Sequence, residues 1–231
     1  MTYGEDPGTK ASIFISRLCA WAPGICTSVE WNEWALGKRE ILPGSNGPEL
    51  SFADPMFRRR LSQISKMTIR VIHDVMPFAD DAKIIFTSFR GELSRQFKVN
   101  KMLIEEKTLS PAAFSLSVFN APAALASITL GLKGGYSAIF PQENSFSCAL
   151  DAAKASLLGA EAQEIIFVYA DEEIQPQYKC FFNEIPPAIS FGLLLSKISG
   201  FGSVPLPVAE EQSPFDFLKK LVLTGRLHVS P

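Results

Sequence analysis

The sequence predicts a layered α/β domain with a mixed, mostly parallel sheet covered by helices, and three observations carry that expectation. β-prone and helix-periodic segments alternate in the order β-α-β-α-β-α-β-β, with one extra helix after the second strand, the pattern of strands joined by covering helices. Two runs, Ile165 to Ala170 (IIFVYA) and Ile189 to Leu195 (ISFGLLL), are almost continuously apolar, as strands buried on both faces are. Between Ser110 and Leu158 the chain joins an apolar helical run, a Gly-Gly turn, a short strand and an amphipathic helix.

Composition narrows the class. At 231 residues, with 47% hydrophobic and 20% charged residues, the chain is long enough for one large core, and a single domain over residues 1–231 is expected. Twenty-two basic against 24 acidic residues leave a net charge of −2, which speaks against nucleic acid or an anionic membrane as partner. The four cysteines, Cys19, Cys26, Cys148 and Cys180, form no C-x-x-C pair, and His73 and His228 are the two histidines. Neither zinc nor another cofactor is expected. The opening MTYGEDPGTK has no basic stretch followed by an apolar core, so the expectation is a cytoplasmic protein with reduced thiols. Leu109 to Leu132 carries no charge, but its serines, Asn120 and Pro122 favour a buried helical segment over a membrane span.

In chain order, Ser12 to Leu18 is a short strand, and Ala22 to Pro55 reads as mostly irregular, with Trp21, Trp31 and Trp34 anchoring it by packing. Asp54-Pro55 resembles a helix start, and Met56 to Val75 has helical spacing, with Arg58-Arg59-Arg60 as a solvated run near its beginning. Lys83 to Phe89 is the second strand. Gly91 to Glu106 returns to helical periodicity, with Arg90, Leu93, Ser94 and Phe97 sharing a face. Ser110-Pro111 opens a third helical region that Pro122 should break or kink. Tyr136 to Phe140 is the third strand and Asn144 to Leu158 a helix containing Cys148, expected to be a buried structural thiol. Asp171 to Pro187 reads as a loop, and Phe215 to Leu223 as a last amphipathic helix.

Ser110-Pro111, Asn120, Ala123, Gly131-Leu132-Lys133-Gly134 and the strand Tyr136 to Phe140 resemble the stretch of β-ketoacyl synthases, members of the thiolase fold, that leads into the nucleophile elbow. From Ser110 to Ser145 the pattern lies over that family without a gap, and the chain matches the N-terminal half of such an enzyme. The family carries its reactive cysteine in a Thr-Ala-Cys motif. Here the matching residues are Pro141, Gln142 and Glu143, so Glu143 falls on the nucleophile position. The family's two assisting histidines come from its C-terminal half, which these residues do not reach, and His73 and His228 are expected to be non-catalytic.

A ketosynthase-like chain without its nucleophile resembles a chain length factor, and SPAAFSLSVFNAPA looks like the short factors of aryl polyene biosynthesis. The resemblance implies an inactive subunit that pairs with a ketosynthase acting on chains held by an acyl carrier protein. It implies that Tyr136, Ser137, Ala138, Ile139 and Phe140 lie at the dimer interface, and that Leu93, Phe97, Phe119 and Asn120 are candidates to line or gate the acyl tunnel. Leu93 and Phe97 could equally be ordinary core residues. The helix from Asn144 lacks the second half that covers it in the family, so either residues 200–231 or another protein should cover it. Two alternatives stay open: a thiolase-like acyltransferase using Cys148, and a scaffold holding an acidic carrier protein through Arg58 to Arg60.

Overall fold

The computed structural model describes residues 12–77, 80–140, 145–159, 163–181, 185–207, 213–225 and 229–230. Strand β1 (Phe14–Trp21) is followed by α1 (Ser28–Ala35), a short α2 (Pro55–Arg58), α3 (Gln63–Val75) and β2 (Lys83–Thr87). Next come α4 (Leu93–Lys101), which runs on into a wide π turn (Met102–Glu106), then α5 (Pro111–Ser115), α6 (Ala121–Leu130) and β3 (Tyr136–Ile139). Helix α7 (Ser145–Gly159), β4 (Glu164–Asp171), a 3₁₀ turn (Pro176–Phe181), β5 (Ile189–Ser196), β6 (Val204–Pro205), α8 (Pro214–Leu223) and β7 (Val229–Ser230) complete the order.

The strands form one sheet in the order β3-β2-β4-β5-β1-β6, with β7 beside β1. It is mixed, as expected, but parallel pairing does not predominate: β3-β2-β4 run parallel, while β4-β5-β1-β6 alternate in direction. Both faces are covered, and β4 shows why its run is continuously apolar. Ile165, Phe167 and Tyr169 face a core with α1, α7 and α8, whereas Ile166, Val168 and Ala170 face a second core with α3 and α6. Alternation of side chains across a strand puts every second residue into each core. Helix α3 lies so close to β5 that a Cβ on Gly192 would sit 2.9 Å from the Val71 carbonyl oxygen. Only glycine fits that crossing.

In the N-terminal third one expectation, a mostly irregular stretch from Ala22 to Pro55, is borne out with one helix added, and a second is corrected. Residues 22–55 contain α1, whose start is a reciprocal capping box: the Glu30 amide donates to Thr27 Oγ1 at 3.2 Å and the Thr27 amide to Glu30 Oε2 at 3.0 Å. Trp31 and Trp34 of α1 are buried edge to face, 5.3 Å apart, while Trp21 is half-buried. The single helix expected from Met56 to Val75 is two. Asp54 caps α2 and Ser62 caps α3, so Arg58, Arg59 and Arg60 mark a break between helices. Pro122 lies in the first turn of α6, where its missing amide costs nothing, and the break falls just before it. Among the described residues no helix is long and apolar enough to cross a membrane.

Helix α7 turns Phe146, Ala149, Leu150, Ala153 and Leu157 into the core. Part of its cover comes from the C-terminal segment, since Phe217 of α8 packs 5.2 Å from the Phe146 ring.

Candidate functional site

Strand β3 closes one edge of the sheet and, among the described strands, pairs with β2 alone. Its outer row of backbone donors and acceptors is therefore open, a template for another chain. The two groups of residues that the resemblance singles out meet here. Asn120 Nδ2 donates to the Tyr136 hydroxyl at 3.0 Å, and the Phe119 ring packs edge-on to Phe140 at 5.0 Å and tilted against Phe86 at 5.7 Å. Phe140 is 70% exposed and Tyr136 37%, while Ser137, Ala138 and Ile139 are half-buried. Gly91 gives Phe119 its room, because a Cβ there would come within 2.8 Å of the ring.

Leu93 and Phe97 stand apart from that edge. Both are half-buried on α4, and Phe97 meets the Tyr178 ring of the 3₁₀ turn edge-on at 5.8 Å. Neither belongs to either buried core, so they are not ordinary core residues. Arg90, expected on the same face, instead turns inward ahead of the helix. Its guanidinium, with only 6% of the side chain exposed, lies 3.6 Å from Asp171 Oδ1 and donates to the carbonyls of Pro186 and Pro187.

Sequence reasoning assigned no role to the polar cluster beneath α4. Glu92, fully buried, accepts from Ser62 Oγ at 2.7 Å and Ser65 Oγ at 2.6 Å and lies 3.1 Å from Arg95 Nε. Burial raises its carboxyl from 4.5 to about 7. Glu172 accepts from the Ser94 amide at 2.7 Å and is also raised by burial. Next to it, Asp171 accepts from Ser88 Oγ at 2.6 Å and from the amides of Phe89 and Arg90 at 3.0 Å each. Above this cluster opens a cleft of about 670 Å³ whose walls include Arg60, Gln63, Ser94, Arg95, Lys98 and Glu172. The one hint in the sequence was the acidic Asp171-Glu172-Glu173 directly after a buried strand.

Cys148 is exposed, which corrects the expectation of a buried thiol: the apolar stripe of α7 leaves it on the opposite side. Pro141, Gln142 and Glu143, which the resemblance lays over the nucleophile motif, and His228 lie outside the described residues. His73 Nδ1 lies 2.7 Å from Asp74 Oδ1, and its ring stacks on Phe52 at 3.8 Å. Arg58 lies 3.8 Å from Glu49, whereas Arg59 and Arg60 are exposed. Among the described residues no group of three or more His, Cys, Asp or Glu is placed to hold a metal ion.

The family profile described as "Beta-ketoacyl synthase, N-terminal domain" matches residues 31–214. The chain belongs to the β-ketoacyl synthase family. No curated protein matches it, but solved structures of ketosynthases do. One is the ketosynthase ApeO in complex with its chain length factor ApeC from Xenorhabdus doucetiae, at 25% identity and a TM-score of 0.70. The match covers 82% of this ketosynthase-family chain and 80% of the other, so the two are nearly equal in length. The ishigamide ketosynthase/chain length factor is 13% identical at a TM-score of 0.63, over 80% of this chain and 62% of the other. A type II polyketide synthase acyl carrier protein in complex with its ketosynthase, AntDE:AntF, gives 15% identity and 0.57, over 80% and 63%. The last two likenesses speak to the fold, which is that of the thiolase-like ketosynthases.

Proposed function

We propose that this chain is a non-catalytic chain length factor. It pairs with a ketosynthase, completes that subunit's fold and shapes the far end of its acyl tunnel during elongation of chains held on an acyl carrier protein, in the manner of aryl polyene assembly. What carries this reading is the resemblance's placing of Glu143 on the family's nucleophile position; the matched residues 31–214 include it. A carboxylate there cannot take up an acyl chain as a thioester. The similarity to a chain of nearly equal length in a ketosynthase and chain length factor complex supports it, as does the open edge of β3 with Tyr136 and Phe140 beside it. In this reading residues 1–231 act as one unit in the cytoplasm, with β3 and Phe140 at the interface and Phe119 and Asn120 near the tunnel.

The exposure of Cys148 favours a second reading, a thiolase-like acyltransferase using that thiol. Cys148→Ala separates the two. A chain length factor predicts condensation by the complex within about twofold of wild type, whereas a loss of more than tenfold, about 1.4 kcal/mol in barrier, with the complex intact makes Cys148 catalytic.

A further inference from the structure

Helix α4 is weakly held by apolar packing. Of its nine residues only Val99 is buried, so hydrophobic burial supplies little to fix its place. Its C-terminal end runs into the π turn, where Leu103 and Ile104 are exposed, and the segment closes on Lys107 in the left-handed conformation, φ 54°. What holds the helix is polar and concentrated at its N-terminus. Glu92, the residue just before it, is bonded to Ser62 and Ser65 of the α3 start, while Arg95 reaches both Glu92 and the Arg60 carbonyl. Ser94 is tied to the segment after β4 twice, its amide to Glu172 and its hydroxyl to Gln175 Nε2 at 2.9 Å. Gln63 extends the same network by accepting from the Glu173 amide at 2.8 Å.

We propose that Glu92 is the positioning residue of α4: its buried carboxyl fixes where the helix, and with it Leu93 and Phe97, stands against α3, and thereby sets the length of chain the complex makes. The second half of this inference rests on the chain length factor reading, and the first does not. Four groups face the carboxyl: the hydroxyls of Ser62 and Ser65 from the α3 side, Arg95 from α4, and Glu172 from beyond β4. Arg90 offsets Glu172 in part but lies against Asp171 as well, so two cations against three carboxylates leave the cluster short of positive charge. A proton on Glu92 relieves the shortage, and ionising it at higher pH loosens the anchor. Phe97 then has more freedom against Tyr178.

Hydrogen exchange of residues 93–101, corrected for intrinsic rates, tests the anchor in the full chain at pH 6 and pH 8. Wild type should lose at least tenfold protection on going to pH 8, Glu92→Gln should lose several-fold less, with Glu172 at the Ser94 amide supplying what remains, and Glu92→Ala should be weakly protected at both. Where Glu92→Ala costs the fold, Ser65→Ala gives the same change in smaller measure. In the complex with ketosynthase, the wild-type product distribution should shift between the two pH values and that of Glu92→Gln should shift less. Equal protection of α4 in wild type and variants overturns the anchor. Altered protection with an unchanged product distribution overturns its role in specificity, and a complex that fails to assemble refutes the chain length factor reading while leaving the exchange result to decide on Glu92.

Discussion

Replacing Glu92 by glutamine should change how the stability of this chain depends on pH. The group is fully buried, and burial, the largest influence on it, raises its carboxyl from 4.5 to about 7 against the opposing hydrogen bonds from Ser65 and Ser62 and the charge of Arg95. Between those two values the folded chain holds a proton that the unfolded chain has released. Stability from this group is therefore complete below about pH 4.5 and is lost as the pH rises through about 7. At ~1.4 kcal/mol per tenfold change in proton affinity, the loss amounts to about 3 kcal/mol by pH 8. Glutamine keeps an acceptor for the serine hydroxyls and has no charge to bury. Urea unfolding followed by circular dichroism at pH 5 and pH 8 should show the variant close to wild type at the lower pH and more stable by up to ~3 kcal/mol at the higher. Glu172, raised in the same direction, leaves some slope in both proteins. Slopes that agree within about 0.5 kcal/mol would refute the reasoning, because Glu92 would then ionise in the folded chain as easily as in water.

Three further substitutions probe the site. Phe140 is largely exposed and touches Phe119, so Phe140→Asp should cost the isolated chain about 1 kcal/mol or less and weaken ketosynthase binding by at least ~2 kcal/mol, roughly thirtyfold, in a titration. Phe97→Ala should lengthen the products by mass spectrometry while costing less than the ~3–5 kcal/mol of a core phenylalanine, and unchanged products from an assembled complex would remove Phe97 as the gate. Phe217→Ala, by contrast, empties a buried site between Phe146 and Phe191 and should lower the unfolding free energy by ~3–5 kcal/mol. A loss below 1 kcal/mol would mean that α8 is not part of the cover of α7.

Most of the sheet was legible because burial on both faces writes itself into β4 and β5 as unbroken apolar runs. Helix α1 was legible too, in Thr27-x-x-Glu30, but the surrounding glycines and prolines masked the capping box. The spacing of Phe146, Ala149, Leu150, Ala153 and Leu157 already put Cys148 on the outer side of α7, and reading its residue type rather than its phase gave the wrong burial. Ser62 was hidden within a helical period that runs through the break, since α2 and α3 carry apolar residues at compatible spacing. The cluster around Glu92 was legible only as the acidic Asp171-Glu172-Glu173 after a buried strand. The hydroxyl partners of Glu92, on Ser62 and Ser65, lie far away in sequence, and nothing local marks a glutamate that folding will bury. Glu143 stood out only beside the family pattern, whereas Phe119 and Tyr136 became one site only when α6 and β3 were placed side by side.

The measurement closest to the central claim is intact-protein mass spectrometry of the complex, formed with a ketosynthase from the same organism and incubated with acyl carrier protein loaded with an acyl chain. The account predicts that the acyl group appears on the ketosynthase and that this chain keeps its unmodified mass. An acyl adduct on this chain, lost in Cys148→Ala, would contradict it.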